Sequence, residues 1–297
     1  MAPYVWMLIS ATAFACMSEL AHALNARCHW MIIALARTSL ALVFTFTWAK
    51  FHKVDLVFWR PLTLWMRSLA GSVSLLCTFF AFHNLPASDV IAITNMFPIW
   101  VAVLSWPLLG VRPSPVVWVS VIAAVAGAWL VNQRPDDAVV GEMWKLGAAT
   151  ATVSSVLSAG VVIGLNLLHR IPSQAIVVHF SAVATVFCLA AMPLGSVTAD
   201  DFRKLDATTI GLLLAMGLSA TVGQLFLTKA FAAGDASKVA VVALSQVVMC
   251  FLFEIGVMGR SFQSTSVWGM ILIVVPTAWM LLRREATRTA APPLDVE

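Results

Sequence analysis

The chain has 297 residues, 61% hydrophobic and only 11% charged, with a mean hydropathy of +0.92. Soluble domains run at roughly half apolar and a quarter charged, so a water-soluble fold is excluded. The formal charge of +4 is read first as membrane topology, and nucleic acid is not an expected partner.

Seven stretches carry no charged side chain at all: 68–88, 90–111, 113–133, 146–169, 171–199, 207–228 and 261–282. Each is long enough to cross a bilayer, since a helix needs about 20 apolar residues at 1.5 Å rise. Sequence this continuous does not alternate as barrel strands do. Three further stretches hold one internal charge each, Glu19, Arg37 and Glu254. Together they predict an all-α integral membrane protein with ten transmembrane helices. In chain order these lie near 3–24, 30–49, 61–83, 87–109, 114–131, 144–168, 174–194, 208–231, 237–258 and 264–282. The first lacks the basic start of a cleaved signal and is expected to be retained.

With the amino terminus inside, ten basic residues fall on the cytoplasmic side and six outside, while Arg37 and Arg67 lie within spans. The bias places both termini in the cytoplasm. The five cysteines stand singly and form no CxxC pair, so no disulfide framework or metal site is expected.

Sliding the chain on itself by 149 residues aligns 81–90 with 230–239. Ala81, Phe82, Ala87, Ser88 and Val90 then match Ala230, Phe231, Ala236, Ser237 and Val239, and Gly110 meets Gly259. Both copies join the third and fourth spans of a five-span half. An odd number of spans makes the second half enter the bilayer upside down, giving two inverted five-helix repeats with a substrate site at midplane depth between them. The halves are expected at 1–134 and 135–283, followed by a disordered cytoplasmic tail, 284–297.

Arg37 in the second span, Arg67 and Gly71 opening the third, the paired Ala-Phe/Ala-Ser junctions and Asn95-Met96-Phe97-Pro98 in the fourth resemble the EamA branch of the drug/metabolite transporter superfamily. The resemblance covers about residues 3–283. It implies ten helices in inverted repeats, a central cavity lined mainly by spans 3, 4, 8 and 9, and export or exchange of a small metabolite. The family often ends its fourth span with Gly-Glu-Arg. Here the residues are Gly110-Val111-Arg112, so any role of that Glu does not carry over.

Pro98 and Pro276 fall mid-span, and each removes a backbone hydrogen bond. At membrane depth a freed carbonyl is tolerated only beside protein or a water-filled cavity. Thr94, Asn95, Gln224, Ser245 and Gln246 form the expected substrate-binding ring, with Trp100 lining it; the alternative is that these polar groups only join helices. A charge at the bilayer centre costs at least about 2.5 kcal/mol, so Glu19, Arg37, Arg67, His179 and Glu254 are candidates for gating or coupling. Glu19 and Arg37 lie at similar depth near the outer surface, Arg67 and His179 near the inner one, while simple snorkelling of the two arginines weighs equally. Small residues in spans 5 and 6, with Gly211 and Gly217 in span 8, are read as close-packing positions.

No GxSxG, HExxH, P-loop or dinucleotide fingerprint occurs, so neither an enzyme nor a cofactor is expected. The expected function is secondary-active transport of a small metabolite such as an amino acid or related solute, by alternating access. The expected setting is the bacterial inner (plasma) membrane, with protons as candidate coupling ion and a monomer or homodimer as assembly. The alternatives are a lipid-linked sugar or phospholipid flippase and a non-transporting assembly subunit.

Overall fold

The computed structural model describes residues 2–59, 61–85, 87–131, 142–195, 197–203, 205–258 and 264–282, and within them every regular element is helical. In chain order the helices are α1 (Ala2–Asn25), α2 (Trp30–Phe51), α3 (Leu62–Asn84), α4 (Ala87–Thr94), α5 (Phe97–Leu109), α6 (Pro115–Val131) and α7 (Glu142–Leu167). Then follow α8 (Ser173–Ala191), α9 (Ala199–Arg203), α10 (Ala207–Ala233), α11 (Ala236–Ala243), α12 (Ser245–Met258) and α13 (Ser264–Leu282).

Among the described residues, seven helical segments are long and apolar enough to cross a membrane: α1, α2, α3, α7, α8, α10 and the run from Ala236 to Phe253. Three shorter apolar helical segments lie at Phe97–Leu109, Pro115–Leu130 and Val267–Pro276. Helix ends follow local chemistry. His29 caps α2 by accepting from the Met31 N–H, and Gly110 closes α5 at φ +67°, a left-handed conformation that glycine adopts without strain. Pro115 opens α6, where its missing N–H costs nothing. The short α9, which a reading for long apolar runs passes over, is tied at its start by Asp201 accepting from Thr198.

Asp206 caps α10, accepting from the backbone and hydroxyl of Thr209. These hydrogen bonds, with a smaller contribution from nearby Arg27, hold its carboxyl below the usual carboxylate range. A depressed value means the cap is complete above that range and is lost as pH falls through the lowered one. Acid thermal melts of Asp206→Asn are therefore expected to lack the part of the acid limb that this carboxylate supplies; an unchanged limb would contradict the assignment.

Packing follows a paired pattern. The main partner of α1 is α10, and that of α7 is α3. Helix α2 lies on α10 as α8 lies on α3. Helix α1 also contacts α11 and α12, and α7 likewise contacts α4 and α5. Helix α2 meets α8, and α6 meets α13. The largest buried cluster draws mainly on α6, α7, α11 and α12, with single or paired residues from α1, α3, α5, α8, α10 and α13, and a second joins α2, α3, α8 and α10 with Leu24 of α1. Outward faces are apolar, with Val43, Phe46, Val119, Ile122, Val186 and Leu218 all exposed, as a lipid-facing surface requires.

Small residues set several crossings. A Cβ on Gly127 of α6 would stand 2.5 Å from the Gly269 carbonyl oxygen of α13, and one on Gly217 of α10 2.6 Å from Leu40 of α2. Gly160 and Gly211 differ from the sequence reading: a Cβ there meets nothing within 4 Å, so they are not crossing points. Serines act as glue between α3 and α7, where Ser74 bonds Ser154 and Ser158 at 2.9 Å each and Thr78 bonds Ser154 at 2.6 Å.

Candidate functional site

Two apolar stretches that read as single spans are each broken in the middle. The first separates α4 from α5 at Asn95 and Met96, the second separates α11 from α12 at Leu244. Helices α4 and α11 are both eight residues long and correspond at an offset of 149, from 87 to 236 and from 94 to 243. Met96 (φ −74°, ψ −8°) and Leu244 (φ −65°, ψ −14°) have nearly the same backbone conformation. Each break tightens into i→i+3 bonds, Met96 N–H to the Ile93 carbonyl in one and Leu244 N–H to the Val241 carbonyl in the other.

The first break has a covalent cause. Pro98 offers no N–H to Thr94, four residues back, and its ring would press on that carbonyl. The Thr94 carbonyl instead accepts from the Ser155 hydroxyl of α7 at 3.4 Å. Pro276 behaves differently and lies inside a continuous α13. The second break has no proline, and the i→i+3 step at Leu244 is its geometric mark.

Thr94, Asn95 and Trp100 flank the first break, and Ser245 and Gln246 directly follow the second. Gln224 lies buried in α10, which packs on both α7 and α11. Among the described residues no hydrogen bond joins Thr94, Asn95, Gln224, Ser245 and Gln246 to one another, and Thr94 spends its hydroxyl on the Val90 carbonyl of its own helix, at 2.7 Å. At the broken ends two buried polar atoms lack partners: the Trp100 indole nitrogen and the Ser245 hydroxyl. A buried donor without a partner costs about 1–3 kcal/mol. Such groups mark positions where a further polar molecule would be welcome.

The charged candidates divide. Arg67 and the His179 neighbourhood come together between α3 and α8, with the guanidinium carbon 4.3 Å from the Phe180 ring centroid. Arg67 is 2% exposed, so it does not snorkel to an interface. Ser68, next to Arg67, bonds His179 Nδ1 at 2.8 Å; His179 Nε2 lies 3.2 Å from the Phe58 carbonyl oxygen, and the Trp65 ring meets the imidazole edge-on at 4.6 Å. A carbonyl only accepts, so Nε2 carries a hydrogen, and in the neutral imidazole Ser68 donates to Nδ1. Arg37 is half-buried in α2 with its guanidinium 5.9 Å from the Phe14 ring of α1, and Glu19 is half-buried in α1. Glu254 lies in α12, and its side chain falls outside the described residues.

Sequence reasoning missed Asn166 of α7. Its side-chain amide donates to the Phe231 carbonyl at 2.9 Å and the Gly234 carbonyl at 2.7 Å, tying α7 to the turn between α10 and α11. A lone amide in an apolar run carries no pattern that foretells this. Ser105 and Ser237, 3.1 Å apart, similarly join α5 to α11. Asn166→Ala is expected to destabilise the protein by about 1–3 kcal/mol, because two buried carbonyls lose their donor. Thermal unfolding in detergent measures it, and a melt equal to that of the parent would show the ties are idle.

Comparison with known proteins shows what this chain is similar to. The EamA-like transporter family matches residues 1–133. The pseudopaline exporter CntI of Pseudomonas aeruginosa (strain UCBPP-PA14) is 30% identical over 180 residues, covering 60% of this chain and 60% of the exporter. Solute carrier family 35 member G1 of Mus musculus is 23% identical over 239 residues, covering 76% of this chain and 63% of that protein. The chain thus matches about 60% of the length of these relatives. One solved crystal structure shares the fold, with a TM-score of 0.80 and 15% identity over 94% of this chain and 96% of its own.

Proposed function

We propose, from the premise that residues 1–133 belong to the EamA-like transporter family, that this chain is a secondary-active transporter that exports or exchanges a small metabolite such as an amino acid or related solute. The observation that carries the reading is the pair of helix breaks at matching positions, each with an unpartnered buried polar group beside it. Discontinuous helices at the interface of two halves are how many secondary transporters present backbone and side-chain polarity to a solute at membrane depth.

The ten spans of the proposal are α1, α2, α3, α4 with α5, and α6 in one half, then α7, α8, α10, α11 with α12, and α13 in the other. The halves run 1–134 and 135–283, and the tail 284–297 lies in the cytoplasm. Exchanging the halves maps the most extensive packing pairs onto one another: α1 with α10 onto α7 with α3, and α2 with α10 onto α8 with α3. Helices α2 with α8 and α6 with α13 map onto themselves. That permutation is the signature expected of a two-fold relation, and five spans per half make the relation an inversion.

In this scheme Thr94, Asn95, Trp100, Gln224, Ser245 and Gln246 bind the solute. Arg67 and His179 form the inner gate, Glu19 and Arg37 the outer one, and Glu254 takes up the coupling proton. The protein sits in the bacterial inner membrane as a monomer or homodimer with both termini inside.

The test is transport of a panel of amino acids and related metabolites by proteoliposomes, with and without a pH gradient. A saturable flux that Ser245→Ala and Asn95→Ala reduce supports the reading. Absence of flux for every solute, or flux indifferent to both substitutions, overturns it.

A further inference from the structure

We propose that Arg67 anchors a binding site for a small oxyanion, a carboxylate or phosphate, at the contact of α3, α7 and α8. A guanidinium in the membrane interior is expensive even when solvated in part, and this one is 2% exposed. Nε on one edge of its planar fork and Nη1 on the other both lack a hydrogen-bond partner.

The neighbours do not offset that charge. Among the described residues the ion pairs are Arg27 with Asp206, Lys145 with Glu142, and Arg203 with Asp200, all exposed and none involving Arg67. Phe180 stacks on the guanidinium, an attraction that engages the face and leaves the N–H groups at the edges unused. On the other side the stem lies against α7: a Cβ on Gly164 would be 3.4 Å from Arg67 Cβ and 3.6 Å from Cγ. Ser68 is bonded to His179, which in turn bonds the Phe58 carbonyl. The donors left unused are the N–H groups on Nε and Nη1, which lie in the guanidinium plane, where a carboxylate or phosphate oxygen accepts. A water molecule can satisfy a donor there but cannot neutralise the charge.

The assignment deepens the transporter reading, by naming the charge that its solute or a bound lipid carries, and rests on it for biological meaning. Its test is binding alone, so a failed flux assay and a failed binding assay are separate results. The purified chain in a maltoside detergent is titrated with sodium acetate and with inorganic phosphate, against sodium chloride at matched ionic strength, and its melting is read by tryptophan fluorescence. A further arm replaces the anion with micelles containing phosphatidylglycerol.

The parent is expected to show a saturable rise in melting temperature that Arg67→Gln abolishes and that Arg203→Gln, at an exposed arginine of α9, retains. A rise with acetate or phosphate identifies a free solute, and one with phosphatidylglycerol alone identifies a lipid headgroup. Arg67→Lys, which keeps the charge but loses the fork, is expected to bind about tenfold or more weakly; should Arg67→Gln fail to fold, this comparison decides. No rise in the parent, an equal rise in Arg67→Gln, or undiminished affinity in Arg67→Lys overturns the proposal.

Discussion

Pro98→Ala is expected to raise thermal stability while lowering transport by about tenfold, the equivalent of ~1.4 kcal/mol. Alanine restores the N–H that position 98 lacks, and the Thr94 carbonyl, now held only by a 3.4 Å contact from Ser155, gains its helical donor. The rotation required is small, since Met96 already has φ −74° and ψ −8°. Pro98 stands in the first turn of α5, where a missing N–H costs little, so the gain stays well below the roughly 3 kcal/mol of a proline in a helix interior. The same change closes the break beside Asn95 and Trp100, so stability and flux should move in opposite directions. Melting curves and initial rates on the same preparation decide it. A more stable variant with undiminished flux would separate the break from transport.

The second large effect concerns the α6–α13 contact. Gly127→Ala places a Cβ 2.5 Å from the Gly269 carbonyl oxygen, 2.9 Å from Leu272 Cβ and 3.0 Å from Ile273 Cγ1. The first of these is backbone, which has no rotamer to change, so the helices must separate, at a cost of about 1–3 kcal/mol. Gly160→Ala is the matched control. Its Cβ meets nothing within 4 Å, and the gain in helix propensity is about 0.5–1 kcal/mol. The melting temperature is therefore expected to fall for the first variant and to hold or rise for the second. Equal effects from both would mean that the α6–α13 approach is looser than described.

These predictions draw on features of unequal visibility in the sequence. Charge-free runs place the long helices within a few residues of where they lie, because lipid leaves few other options for such a stretch. Pro98 announces the first break by its covalent structure. The second break has no such residue: Leu244 is an ordinary helix former, and only the 149-residue offset carries the position of Asn95 onto it. Gly127 and Gly160 look alike as letters, yet one meets a facing backbone and the other open space, a difference set by which surface of a helix points inward. Arg67 is similarly ambiguous in one dimension, where snorkelling and burial weigh the same. Its stacking on Phe180 depends on α8 lying beside α3, more than one hundred residues away in sequence. Asn166 and its two carbonyl partners are legible only once α7 is seen against the α10–α11 turn.

The account turns on two halves that cross the membrane in opposite senses. Its most direct test is side-specific thiol labelling of single cysteines introduced at Val140 and at Ala290, after replacement of the five native cysteines, in intact cells and in inverted vesicles. Opposed halves predict that position 140 reacts from outside and position 290 only from the cytoplasmic face. Reaction of both from the same side would contradict the inverted repeat and, with it, the shared site between the broken helices.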